Sequence, residues 1–337
     1  MSNQKYIIID NAEMTIIYDR VDEAVRIYSN NGMIWPGWFE GTGVTQDSVK
    51  SIRVASGKVY LPEDSGEMFA NFENLSTFDA SGFNTSRVND MHRMFAGCEH
   101  LRELNLNGFD TSNVTDMSKM FQNCYKLTEI KFDKWNTAKV TNMNGMFSNC
   151  HWLQSLDVKG FKTFQVTDMR GMFRNCISLS ELDISGFDTQ NVTDMSQIFQ
   201  GCRRMKSLNL SNMNTSRVTN MSGMFAECID LTDLNVHGFD TSNVTNMRGT
   251  FYKCIKLKEL HVEDWDTSKV ENMSGMFSEC EMLTALNIQN FNLLRVKTMQ
   301  YMFIGCERLK TLVMCPAIRE SVDTDDIFDP CMTKIYS

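Results

Sequence analysis

The sequence lacks the features that mark several common functional classes. Its net charge is -9 at pH 7, with 33 Lys and Arg against 42 Asp and Glu, so we expect no dominant basic surface for nucleic acid or anionic lipid. No run approaches the roughly 18 apolar residues that a membrane-spanning helix needs. The first ten residues lack the apolar stretch of a signal peptide. We therefore expect no membrane insertion and, for the sequence as written, a cytoplasmic location.

Side chains that carry catalysis are few and scattered. No serine or cysteine nucleophile stands out beside a histidine, and the Asp, Asn and Thr residues lack the Gly-Gly-x-Gly-x-Asp spacing of calcium-binding coils. We predict no enzymatic activity, no cofactor and no bound metal. The five histidines fall at different positions of the repeat described next: His92, His100, His151, His237 and His261.

The cysteines reveal an internal repeat of 26 residues. Phenylalanine from Phe69 to Phe303 and valine from Val88 to Val296 keep the same interval, without any insertion. One extra residue would push an inward side chain out of its column, so constant spacing predicts stacked, equivalent coils. Nine of the eleven cysteines lie at this interval: Cys98, Cys124, Cys150, Cys176, Cys202, Cys228, Cys254, Cys280 and Cys306.

Each repeat contains two hydrophobic periodicities. Leu104 and Leu106 alternate with polar residues, the period of a half-buried strand. Apolar residues of Met117–Cys124 fall at i, i+3, i+4 and i+7, which predicts a short helix, and Asp116 would cap it. The predicted fold is thus an α/β solenoid of leucine-rich-repeat type. Its parallel sheet lies on one face and its short helices on the other.

Three segments follow from this pattern. Residues 65–315 hold ten repeats, and 316–337 form a carboxy-terminal cap. Residues 1–64 read as a β-rich amino-terminal cap, in which Trp35–Trp38 either packs over the first coil or stacks on a ligand. Its strands are expected at four apolar runs, Tyr6–Ile9, Met14–Tyr18, Ala24–Tyr28 and Val49–Val54.

The cysteine and methionine columns are interpreted as core. Zinc needs four ligands that converge on a point, whereas these cysteines lie along a line with one in each coil. Their parallel Cβ vectors also suit disulfides poorly, so we expect reduced, buried thiols. The methionines share the apolar spacing of the phenylalanines. Cys315 and Cys331 lie outside the column, and their pairing stays open.

The outward positions of the strands vary between coils, so recognition is expected there. They form a polar, net acidic strip, which is either a merely solvated face or a docking surface for a protein partner with basic or amide-rich groups. Trp152, Tyr125 and Tyr252 are alternative anchors. The candidate binding residues are Glu103, Asn105, Glu129, Lys131, Asp157, Glu181, Asp183, Asn209, Asp233, Asn235, Glu259 and His261.

The run from Phe109 to Cys124, Phe-Asp-Thr-Ser-Asn-Val-Thr-Asp-Met-Ser-Lys-Met-Phe-Gln-Asn-Cys, resembles the repeat of BspA-like leucine-rich-repeat surface proteins, a repeat also found in mycoplasma lipoproteins. Phe239–Met247 matches it again, and the resemblance covers about residues 60–315. It implies a bacterial protein, cell-surface or secreted, that adheres to host, matrix or bacterial proteins.

The resulting functional prediction is a monomeric, non-catalytic binding scaffold. The alternative is an intracellular effector, immunity or assembly scaffold of a bacterium, which the apparent lack of an export signal favours.

Overall fold

A computed structural model describes residues 5–132, 134–314 and 322–328. The repeats form a parallel β-solenoid of about 11 turns. Two short 3-10 helices, Gln46–Ser48 and Ala80–Gly82, are the helical segments of this described chain. Neither has the length and apolar character that a membrane span requires. The predicted carboxy-terminal cap, 316–337, lies outside the described residues except for 322–328. Cys315 and Cys331 both lie outside them.

Strands occur where the period-2 pattern predicts them, except in the repeat of Glu259, where the described chain has no strand. In β8 and β9, Glu103 pairs with Glu129 and Leu104 with Ile130, a register of one repeat. The strands of successive repeats, which we call rungs, pair two at a time. The single continuous sheet expected from the sequence is therefore not formed. The strands are β1 (Tyr6–Asp10), β2 (Met14–Asp19), β3 (Ala24–Ser29), β4 (Ser51–Ser56), β5 (Val59–Tyr60), β6 (Thr77–Asp79), β7 (Phe83–Asn84), β8 (Glu103–Asn105), β9 (Glu129–Lys131), β10 (Ser155–Leu156), β11 (Glu181–Leu182), β12 (Ser207–Leu208), β13 (Asp233–Leu234), β14 (Ala285–Ile288) and β15 (Thr311–Met314).

The amino-terminal runs are strands, as predicted. They form a five-stranded sheet of order β1-β2-β3-β4-β6, in which the two hairpin pairings are antiparallel and the last two pairings are parallel. The sheet therefore continues into the first coil. Trp38 stacks on Phe72 with ring centroids 6.1 Å apart, whereas Trp35 is 60% exposed, so only one of these two tryptophans packs on the coil.

The predicted helical face is wrong. The segment from Met117 to Cys124 and its equivalents consist of consecutive turns, and the fold is a β-solenoid without the α layer. Asp116 does accept a backbone N–H, from Ser118 at 2.7 Å, but this bond closes an Asx-turn and starts no helix. Asp116 and its equivalents also form a second ladder of single-residue parallel bridges that runs from Asp64 to Asp323.

Hydrogen bonding between coils explains why the segment is not helical. Every second N–H group of the segment donates to the next coil. The N–H groups between them close local turns, as that of Gln122 does by donating to the carbonyl of Lys119 at 2.9 Å. Lys119 has φ 55° and Asn123 has φ 63°, left-handed values that an α-helix does not contain. Two consecutive four-residue turns place inward residues at i, i+3, i+4 and i+7, the same spacing as a helix. The N–H groups that donate to the next coil, at 2.7–3.0 Å, are those of Met117, Lys119, Phe121 and Asn123.

The interior is built from columns of identical side chains. Successive phenylalanine rings stack with centroids 5.4–6.0 Å apart. Each column cysteine is buried and donates its S–H to the phenylalanine carbonyl of the preceding coil, as Cys124 does to Phe95 at 3.2 Å. The core prediction for phenylalanine, methionine and cysteine is confirmed.

Buried threonines link the coils beside the strands. The hydroxyl of Thr189 donates to the carbonyl of Asn214 at 2.8 Å and accepts the N–H of the same residue at 2.8 Å. The hydroxyl thereby pairs two part-buried backbone groups, which would be costly to leave unsatisfied. Leu293 stands at the equivalent place in the last complete repeat.

A glycine pair tests the turn geometry. Gly223 has φ 61° and room for a Cβ, with the nearest outside atom 3.5 Å away, whereas Gly108 has no atom within 4 Å of a Cβ and no left-handed φ. We expect Gly223→Ala to lower the free energy of unfolding by about 1 kcal/mol, because an alanine Cβ disfavours left-handed backbone. The matched Gly108→Ala should be neutral or stabilising. Denaturant unfolding of both variants measures the difference, and equal effects would contradict the left-handed turn.

Candidate binding surface

The structure places all twelve predicted binding residues on the solvent side of the strand face. Each of them is exposed. In the strand rungs, residues at matching positions lie directly beside each other, as Ser207 does beside Asp233 in β12 and β13. We call Glu103, Glu129, Glu181, Asp233 and Glu259 the acidic column. It forms because the period-2 pattern turns these side chains outward, while the leucine or isoleucine that follows each of them is buried or half-buried.

The neighbouring column has a role in turn formation. Its Asn and Asp side chains accept the N–H of the residue two positions later, which fixes the chain as it leaves the strand. Lys131 instead makes an ion pair with Glu129 at 3.1 Å, and His261 one with Glu263 at 3.2 Å. The side chains that form these Asx-turns, with N–O distances of 2.9–3.1 Å, are Asn105, Asp157, Asp183, Asn209 and Asn235.

Four members of the acidic column have no ion-pair partner among the described residues. They are unpaired although cations lie close in the sequence, since Arg102 precedes one of them and Lys258 precedes another. Their charges are therefore available to a binding partner. These four side chains are Glu103, Glu181, Asp233 and Glu259.

A shallow groove of about 640 Å³ crosses this face between the rungs of Asp233 and Glu259. Histidines border it: His237 lies 2.9 Å from Asp264, and His261 lies 3.2 Å from Glu263. The hydrogen bond of Glu263 with its own backbone N–H, followed by the contact with His261, lowers the pKa of its carboxyl. The sequence did not predict this groove, because its walls come from two coils 26 residues apart.

Local donors also keep Asp183 ionised. Its carboxylate accepts the hydroxyl of Ser185 at 2.6 Å and the N–H of the same residue at 3.0 Å, and Lys159 lies 3.4 Å away. The Ser185 hydroxyl and N–H, with a smaller contribution from Lys159, lower the pKa of Asp183. Such a carboxylate contributes a fixed negative charge near neutral pH and does not serve as a proton donor.

Of the aromatic residues named as alternative anchors, Trp152 and Tyr125 lie shortly before the strands, whereas Tyr252 lies in the turn segment. Trp152 is 47% exposed, and the guanidinium of Arg102 lies 5.9 Å from its ring. Tyr125 contacts His151 with ring centroids 4.9 Å apart, and burial lowers the pKa of that histidine. Tyr252 is farther away and donates to Glu279 at 3.1 Å. Only the first of these therefore presents an exposed aromatic surface next to the strip.

One side-chain cluster has the composition of a cation site. Potential ligand atoms of Asp64, Asp90 and His92 lie within 4.8 Å of one another. The imidazole Nδ1 of His92 is already 2.9 Å from Asp90, and Asp64 and Asp90 each accept a backbone N–H. The cluster is thus accounted for by Asx-turns and one hydrogen bond. Sequence reasoning missed it because Asp64 and Asp90 occupy one column in different coils.

The column thiols do not form a comparable site. They lie one per coil, and each already donates to a carbonyl. Burial raises the pKa of Cys124 to about 12 and raises those of its neighbours too. A neutral, enclosed thiol is a weak nucleophile and a weak metal ligand.

Comparisons with known proteins give one family match. A family described as "Mycoplasma protein of unknown function, DUF285" matches residues 63–156, 146–237 and 230–333. A solved structure, the Toll–Spatzle complex described as a molecular hub in Drosophila development and innate immunity, is similar at 12% identity and a TM-score of 0.21. The alignment covers 93% of this chain and 64% of that chain, so this chain spans less than two thirds of it. No curated protein matches.

Thiol reactivity tests the cysteine column. In a Cys315→Ser/Cys331→Ser variant, the nine column thiols should resist an aromatic disulfide reagent in the folded protein and react at once in denaturant. Because the folded pKa is raised, the thiols stabilise the fold fully below the unfolded pKa near 9, and stability should fall as pH rises above it. Reagent titration between about pH 7 and 10 measures the protection of the thiols, and denaturant unfolding over the same range measures the fall in stability. Rapid labelling of several thiols in the native state would contradict their burial.

Proposed function

The chain belongs to the DUF285 repeat family, and on this premise we propose that it is a non-catalytic binding scaffold whose strand face docks a protein partner. The observation that carries the proposal is the set of four exposed carboxylates on one face without a partner in the described chain. The inward positions of a solenoid pack between coils, so selection for binding acts on the outward positions. The acidic column places five exposed carboxylates at one such position.

The charge pattern indicates the chemistry of the partner. Carboxylates that are exposed and unpaired steer and orient a surface rich in Lys, Arg or amide groups. Asn105, Asp157 and Asp183 are engaged in turns and add polarity more than specificity. The exposed ring of Trp152, beside Arg102, supplies an apolar contact of the kind that binding hot spots use.

The electrostatics also support a non-catalytic role. A general acid at neutral pH needs a carboxyl whose pKa is raised by burial or by a like charge. Asp183 and Glu263 on this face have lowered pKa values because hydrogen bonds hold their ionised forms. The face is suited to holding charges in place and is poorly suited to moving protons.

For its location we propose the cell surface, with adhesion to a host, matrix or bacterial protein. The resemblance of Phe109–Cys124 to the BspA-like repeat supports this. The second candidate is an intracellular assembly scaffold. Fractionation of the native organism with an antibody against the chain separates the two, because only a surface protein is digested by protease added to intact cells.

Charge reversal tests the binding face. The variant Glu103→Lys/Glu181→Lys/Asp233→Lys/Glu259→Lys should lose at least about tenfold of partner capture in pull-downs from host and bacterial extracts, because attraction becomes repulsion. The matched control, with the same change of charge, is Glu13→Lys/Glu40→Lys/Asp47→Lys/Glu307→Lys, which alters exposed carboxylates away from the column.

The control variant should retain capture, and both variants should melt as the wild type does. Equal capture by a folded column variant would remove the acidic column from the binding site.

A further inference from the structure

A basic ridge lies directly beside the acidic column. It consists of outward side chains at two positions of the repeat, just before each strand. Among all the residues at these two positions only Asp230 is acidic, although the chain as a whole carries -9. The basic ridge comprises Lys50, Arg102, Lys126, Arg204, Lys206, Lys256, Lys258, Arg308 and Lys310.

Its central column alternates in a regular way. Lys50, Arg102, Gln154, Lys206, Lys258 and Lys310 occupy every second coil, and the coils between carry Ser76, Thr128, Ser180, Thr232 and Thr284. Each of these hydroxyls donates to the carbonyl of the long residue before it, at 3.0–3.5 Å. The alternation holds like charges about two strand spacings, or roughly 9–10 Å, apart.

Most of the ridge makes no ion pair with the residues that the structure describes. Lys50 pairs with Glu23, and Lys256 with Asp230. Arg204, Lys206 and Lys258 are exposed and make no ion pair in the described part of the chain. Lys258 does not pair even with Glu259, its sequence neighbour. Two opposite stripes thus run side by side along the solenoid, each with free charges.

We infer that the strand face is a self-association surface, on which two copies pack face to face about a twofold axis parallel to the solenoid axis. The axis runs between the two stripes, so it turns the basic ridge of each copy onto the acidic column of the other. This inference rests on the proposed function, since it names a partner for the same face. It proposes a dimer where the sequence analysis expects a monomer.

The twofold axis also fixes the register. A rotation about an axis parallel to the solenoid axis leaves the height along the solenoid unchanged, so each coil lies opposite the same coil of the other copy. Lys258 then faces Glu259 of the second copy, and Arg102 faces its Glu103. Lys206 falls between the levels of Glu181 and Asp233. A partner with this repeat keeps its column in step with the ridge along the whole solenoid, because its acids recur with the same rise per coil.

The size of the face is sufficient for a weak dimer. Eleven rungs span about 50 Å and the outward part of each rung about 15 Å, which gives roughly 750 Å² a side, near the lower end for specific dimers. The contacts are mostly charged and solvent-exposed, so each adds little and salt screens it. We therefore expect dissociation in the micromolar range that is strongly dependent on salt.

Sedimentation equilibrium of the full chain tests the dimer. The wild type should be dimeric at about 100 μM protein and about 0.1 M salt, and monomeric at about 1 M salt, where the screening length falls from about 10 Å to about 3 Å. Two reversals should each give monomers: Lys206→Glu/Lys258→Glu on the ridge and Asp233→Lys/Glu259→Lys on the column. An equimolar mixture of the two reversals should restore the dimer, because each stripe then faces its opposite.

The matched control is Lys162→Glu/Arg295→Glu, which makes the same charge change as the ridge reversal at exposed residues beyond the strand. It should dimerise as the wild type does. A wild-type monomer under all conditions, a dimer that survives both reversals, or a mixture that stays monomeric would each overturn the inference. A wild-type monomer whose column variant still loses captured protein would remove self-association alone and leave the proposed function intact.

Discussion

The fold depends on backbone hydrogen bonds that cross from one coil to the next in the turn segment. In each repeat, alternate N–H groups from the equivalent of Met117 to that of Asn123 donate to carbonyls of the following coil, and the groups between them close local turns. Backbone groups buried in a core must be paired, so this arrangement leaves no freedom in repeat length. The interval of 26 residues holds from Cys98 to Cys306 for this reason.

The side-chain columns complete the pairing that the backbone begins. The carbonyl of Phe95 accepts the N–H of Cys98 at 3.2 Å and also the thiol of Cys124 at 3.2 Å. Thr189 satisfies both backbone groups of Asn214. Cysteine and threonine recur because a small donor of the right reach is needed in an enclosed space. Their repetition is thus explained by packing, and the functional interest moves to positions that differ between coils.

The sequence predicted the solenoid, the strands and the buried columns, because spacing and burial leave a direct trace in residue type. It misled on the helix, since inward residues at i, i+3, i+4 and i+7 arise equally from two consecutive turns. The missed signal was the residue type at the two left-handed positions. Gly145, Gly171, Gly223, Gly249 and Gly275 share one of them, where glycine is favoured and helix interiors disfavour it. Asn123 and Asn149 stand at the other.

The surface was harder to predict, because the net charge of the chain sums over residues that lie on different faces. The excess of carboxylates suggested an acidic strip and hid nine Lys and Arg residues gathered along its border. Sequence neighbours such as Lys258 and Glu259 suggest a neutralised pair until the structure shows both exposed and unpaired. In a solenoid, each outward position becomes a line along the molecule, so a small bias at one repeat position is multiplied by the number of coils. Two adjacent lines of opposite charge make the two sides of the face different. This difference favours one arrangement of a charged partner over the others.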